Sequence, residues 1–206
     1  MLLKNTDISP KGVAYSSEPE WTEPRVIQRW PGRLVDSEIA DKVPTQVAYD
    51  GHGRLIAWGF HCNFTDQEIQ LEREFKLYLD PEFPDNYEDR PSHANAVKYY
   101  KDYMKSLHGH LESHFQETVP NWEDRNVEFL FSIPTTWKSP RLTAKMEKWL
   151  EEAGFANSHK RRVKVSQTEA EAAAVYVAKQ DYKVSLLFHS TSTPNTEIGR
   201  RRNNGG

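Results

Sequence analysis

In the first third of the chain, apolar residues come in short β-prone runs. "GVAYSS" (12–17) and "RVIQRW" (25–30) are two such runs, divided by "EPEWTEP" and followed by the turn signal "WPGR". "VPTQVAYD" (43–50) and "RLIAWGF" (54–60) flank "GHG", which predicts a hairpin. The period then lengthens. Asp66 to Lys76 is a candidate helix with sparse apolar positions, and "LDPEFPDNYEDRP" is a Pro/Asp-rich loop. From Ala94 to Gln116 the steps of three and four are clear: Val97, Tyr100, Met104, Leu107, Leu111 and Phe115 form one stripe, with Ser92 as its N-cap.

"NVEFLFSIP" predicts a buried strand ending at Pro134. Ser139-Pro140 opens a helix with the stripe Leu142, Met146, Trp149 and Leu150, closed by Gly154. "RRVKVSQ" predicts a further strand. Thr168 with Glu171 forms a capping box for the helix "EAEAAAVYVAKQ". From Val184 onward the residues are small, polar and basic, which predicts a disordered tail over 184–206. This order of strands and helices predicts a mixed α/β fold.

Composition narrows the function classes. The 206 residues carry a formal net charge of -3, with 37% hydrophobic, 28% charged and 12% aromatic residues, values that fit a packed globular domain. The near-neutral balance points to neither nucleic acid nor a membrane surface as partner. Cys62 is the single cysteine, which excludes an intrachain disulfide and fits a reducing, cytoplasmic setting. No apolar run approaches the ~20 residues of a membrane span.

Isolated motifs point weakly to chemistry. His108, His110 and His114 include an i, i+4 pair, a spacing that can bind zinc. No H-E-x-x-H frame accompanies it, and exposed helix histidines are the simpler expectation. Cys62 beside His61 is not expected to form a nucleophile pair, because neighbours in a strand face opposite ways. Neither a G-x-x-x-x-G-K-[ST] nor a G-x-G-x-x-G phosphate loop occurs.

Several segments in order carry more than any one of them: "GVAYS", "VIQRWPG", "KVPTQVAYDGHGRLIAWGF", "FKLYLDP", "KYYKDYMKSLHGHL", "FSIPTTWKSPRLTAKMEKWLEEAGF" and "SQTEAEAAAVY". Together, over about Lys11 to Tyr182, they resemble the first lobe of the actin-like ATPase domain of divergent, fungal-type heat-shock-protein-70-like proteins. The resemblance implies an actin-like (ribonuclease-H-like) fold: a mixed sheet flanked by helices, here incomplete at both ends. It divides the chain into a non-matching segment 1–11, the lobe 12–183 and the tail 184–206. It also implies ATP or ADP with magnesium as cofactor, and a co-chaperone or full-length relative as partner.

The resemblance assigns roles residue by residue. Lys76, in "FKLYLDP", stands where a lysine contacts the phosphates and the attacking water. Glu169 stands where a glutamate orients hydrated magnesium. Pro134 matches a hinge-like proline that senses nucleotide state. Arg141 is seven positions after Pro134, where the family places an arginine at eight. These residue types suit phosphoryl transfer, which needs positioning and charge neutralisation. Beside those roles stand plainer ones: Lys76 as a solvated lysine, Glu169 as a first-turn acid favoured by the helix dipole.

Two departures shape the expected function. "MLLKNTDISPK" stands where the family has D-x-G-T-T-x-S. Asp7 is not followed by G-T-T, and Pro10 disfavours a central strand. "HSTSTPNTEIG" stands where the second phosphate loop, D-x-G-G-G-T, is expected. The expected function is therefore a truncated nucleotide-binding lobe, Lys76 and Glu169 being vestigial catalytic positions without ATP hydrolysis. A non-catalytic interaction module derived from that lobe is the alternative. The central strand that the family has between "GVAYSS" and "VEFLFSIP" leaves three outcomes open: "MLLKNTDI" fills its place, the sheet rearranges, or the fold is marginal.

Overall fold

The computed structural model describes residues 2–3, 12–16, 24–32, 39–64, 68–81, 83, 90–134, 137 and 139–168. The described elements are mixed α and β. A parallel sheet has the order β1-β7-β8, formed by Leu2–Leu3, Val127–Ile133 and Arg161–Thr168. A second sheet has the order β5-β4-β6, from Leu55–Trp58, Gln46–Tyr49 and Gln70–Arg73, all antiparallel. A two-residue pair joins β2 (Ala14–Tyr15) to β3 (Arg25–Val26).

The long helix α1, His93–Thr118, lies between these layers. Ser92 caps it as expected, its Oγ accepting a hydrogen bond from the Asn95 N–H at 3.2 Å. Its buried face is wider than the predicted stripe and adds Ala96, Tyr99, Tyr103 and His108. The width follows from its neighbours: the β4 sheet and the Leu77–Leu79 turn pack on one side, α2 and the turn after it on the other.

The unit β7–α2–β8 connects parallel strands through α2, Pro140–Leu150. Leu142, Met146, Trp149 and Leu150 are buried as the periodicity predicts. Ser139 holds the N-cap position without a side-chain cap hydrogen bond, its carbonyl accepting from the Leu142 and Thr143 N–H groups, and Pro140 follows in the first turn. Gly154 stops it at φ 108, a conformation that favours glycine. Glu147 of α2 accepts a hydrogen bond from the Val165 N–H at 2.9 Å and fastens helix to strand.

One main core runs from Val13 through α1 to Val165. Alternation along β4 sends Val47 and Tyr49 into it, while Ala48 joins Ala57 and Cys62 on the opposite face.

One expectation changes, and one of the alternatives left open for the amino terminus is met over two residues. The predicted helix over Asp66–Lys76 is not formed in its described part. Gln70–Arg73 is instead a strand laddered to β4 from Gln46↔Arg73 to Tyr49↔Gln70, because the ladder outweighs weak helical periodicity. The amino-terminal segment takes a sheet position over two residues, Leu2 opposite Leu130 and Leu3 opposite Phe131, and so lies parallel beside β7. Asp7, Pro10, the helix opened by Thr168 and Glu171, and the tail 184–206 fall outside the described residues.

Candidate functional site

After β6 the chain turns sharply. Glu74 adopts φ 56, a left-handed conformation in a residue other than glycine. It leads into the 3-10 turn Leu77–Leu79, where the Glu74, Phe75 and Lys76 carbonyls accept from the Leu77, Tyr78 and Leu79 N–H groups. The turn drives two consecutive side chains inward. Phe75 is fully buried against Tyr99 and Tyr103. Lys76 is only 3% exposed, so it is not the solvated lysine that the sequence alone allows.

The Lys76 ammonium lies 5.9 Å from the centre of the Trp137 ring, within reach of a cation–π contact. Trp137 is itself buried, and its backbone N–H donates to the Pro134 carbonyl at 3.0 Å in the loop that leaves β7. Ile133, the last residue of β7, pairs with Thr168, the last of β8. The register slips by one residue just before, between Phe131 and Ser132. Lys76, Trp137 and Pro134 therefore gather at the carboxyl end of a parallel strand pair. Ligands of open α/β sheets bind outside that end.

The residues expected to act with Lys76 are partly accounted for. Pro134 is half-buried beside this loop, and Arg141 is exposed on the first turn of α2. Glu169 directly follows Thr168 and lies outside the described residues. A lysine ammonium is a point charge of the kind that suits anionic oxygens. Glu169, which the resemblance ties to hydrated magnesium, and Asp7, in the segment that departs from the family's first phosphate loop, are both outside the described residues. Trp137 was missed as a neighbour of Lys76, and no periodic signal could have linked the two.

The histidines are not the exposed set expected. His108 is buried against Phe129 and Phe155. His110 lies between Trp30 and Trp58 and donates to the Arg29 carbonyl at 3.0 Å. His114 packs on Tyr15 and Phe115. Burial holds all three below the ordinary imidazole range. Among the described residues no group of three His, Cys, Asp or Glu side chains is arranged to hold a metal ion. Cys62 is buried, and burial pushes its thiol up to about 11, so it is not the thiolate a nucleophile requires. A concavity of about 590 Å³ is lined by Gln116–Asp124, the last residues of α1 and the turn that follows, at the far end of α1 from the Lys76 turn. No described helix is long and apolar enough to cross a membrane.

Comparison with known proteins adds no relative: no protein-family model, curated protein or solved structure matches the chain.

Proposed function

We propose that this chain is a nucleotide-binding first lobe of the actin-like ATPase type found in heat-shock-protein-70-like proteins, one that holds phosphates through Lys76 without hydrolysing ATP. The observation that carries the reading is the burial of Lys76, 3% exposed, beside Trp137 at the carboxyl end of β7 and β8. A lysine ammonium is a compact point charge, the kind of group that neutralises phosphate oxygens. Hydrolysis is not expected because "MLLKNTDISPK" and "HSTSTPNTEIG" lack the Gly-Thr pattern of phosphate loops.

Titration calorimetry with Mg-ADP tests the reading. The wild type should bind. Lys76→Met keeps the aliphatic volume against Trp137 but removes the charge, and should weaken binding by about tenfold or more. Equal affinity in both proteins contradicts the assignment of Lys76. ATP turnover that disappears in Glu169→Ala contradicts the non-hydrolysing part.

A second reading, a protein-interaction module, is favoured by the β4–β5 hairpin. On the edge strand β5, Leu55 is 37% and Ile56 46% exposed. Apolar side chains on a strand edge suit a protein partner such as a co-chaperone or a full-length relative. Capture of such a relative by the wild type and its loss in Ile56→Asp would favour this reading over the first.

A further inference from the structure

At the opposite, amino end of β7 and β8 a second polar cluster is enclosed by aromatic rings. It uses none of the residues around Lys76. Arg161, the first residue of β8, is buried and donates to the Arg125 carbonyl at 2.6 Å and the Trp122 carbonyl at 3.1 Å. Its guanidinium stacks 4.4 Å over the Trp122 ring, and its Nε lies 3.9 Å from Glu112 Oε1. The other oxygen of Glu112 accepts from the Trp122 indole N–H at 2.8 Å. One helical turn earlier on α1, His108 directs Nε2 at Glu112 Oε1 from 3.5 Å. Both of those atoms are buried and neither has a hydrogen-bond partner.

The imidazole has little room to adjust. Its ring packs 4.8 Å from that of Phe155, and a Cβ added at Gly154 would come within 3.0 Å of Nδ1. Phe129 of β7 closes a further side, 6.2 Å away. The charged groups that act on His108 are Glu112 from its own helix and Arg161 from β8; Phe129 and Phe155 bring no charge from β7 or from the turn after α2. Glu112 is already engaged by Trp122 and Arg161, and the guanidinium opposes a second positive charge nearby.

We infer that His108, Glu112 and Arg161 form an acid-opened joint that fastens α1 to the amino end of the β7–β8 pair and makes the integrity of this lobe depend on pH. With His108 neutral and its proton on Nε2, the ring can donate to Glu112 Oε1 and the joint is closed. Uptake of a second proton puts a positive charge into a desolvated site walled by Phe129 and Phe155; that burial outweighs the attraction of Glu112, the Arg161 guanidinium adds to the opposition, and α1 separates from the sheet end. Burial, the largest influence, holds His108 below the ordinary imidazole range, with Glu112 pulling the other way. A histidine whose proton affinity is lowered by folding contributes stability above its unfolded pKa. That stability is lost as pH falls through about 6.5 towards the folded value.

Urea unfolding of the full chain between about pH 7.5 and 5 tests the joint, comparing wild type with His108→Gln, which keeps a side-chain donor that cannot titrate. The wild-type folding constant should fall more steeply below about pH 6.5, by up to about tenfold per pH unit relative to the variant. The other seven histidines are common to both proteins and cancel. Identical pH slopes overturn the inference. Should His108→Gln not fold, the imidazole resonance of His108 in the wild type decides. A midpoint below that of a histidine in an unfolded peptide supports the joint, and an ordinary or raised midpoint overturns it.

Discussion

Lys76 is a residue whose setting differs most from its type. Lysines are mostly exposed, and this one is carried inside by a turn that starts with a non-glycine residue in the left-handed region. Glu74 is exposed and no capping motif marks it, so neither periodicity nor turn chemistry announces the inward position of Lys76. Glu74→Gly should relieve the backbone cost and raise stability by up to about 1 kcal/mol in chemical denaturation. A loss of stability would mean that the Glu74 side chain, not its backbone, holds the turn. Gly154 is the converse case. Gly154→Ala puts a methyl at φ 108 and 3.0 Å from His108, so it should destabilise by at least about 1–2 kcal/mol. An unchanged urea midpoint would contradict that geometry.

Between elements, α1 is tied to both sheets by buried polar links as well as apolar contact. On the β4 side the Tyr49 hydroxyl donates to Asp102 at 2.7 Å, with the Lys98 ammonium 3.7 Å over the Tyr49 ring. Burial first, then Asp102, pushes the Tyr49 phenol far above its ordinary range. Tyr49→Phe keeps the ring and its cation contact but removes the hydrogen bond to a carboxylate. It should cost about 1.5–3 kcal/mol, read as a lower urea midpoint with unchanged slope. The helices were legible because their buried faces repeat at three and four residues and Ser92, Pro140 and Gly154 mark their ends. Strand β6 was not, since Gln70–Arg73 is four residues long, ends exposed at both limits and gains its identity from the distant ladder to β4. His108 was singled out only as one of three helix histidines; Glu112, four residues on, carried no signal of its own, and Arg161, which makes them a joint, arrives from a separate strand.

For the whole molecule, the sequence pointed to the α/β class and to the order of most elements. The site was legible in part. Lys76 and Pro134 were singled out and do gather at one sheet end, while Trp137, their neighbour there, was not. The central claim is that this sheet end binds nucleotide phosphates in the folded chain. Thermal unfolding of the purified protein with and without Mg-ADP tests it most directly, because a ligand that binds only the folded state raises the transition. At ten times the dissociation constant the gain is ~1.4 kcal/mol, or roughly 3–6 °C for a chain of this size. The account predicts a cooperative transition that Mg-ADP raises by that amount in the wild type and by about a third of it or less in Lys76→Met. A cooperative transition indifferent to Mg-ADP in both proteins would contradict it.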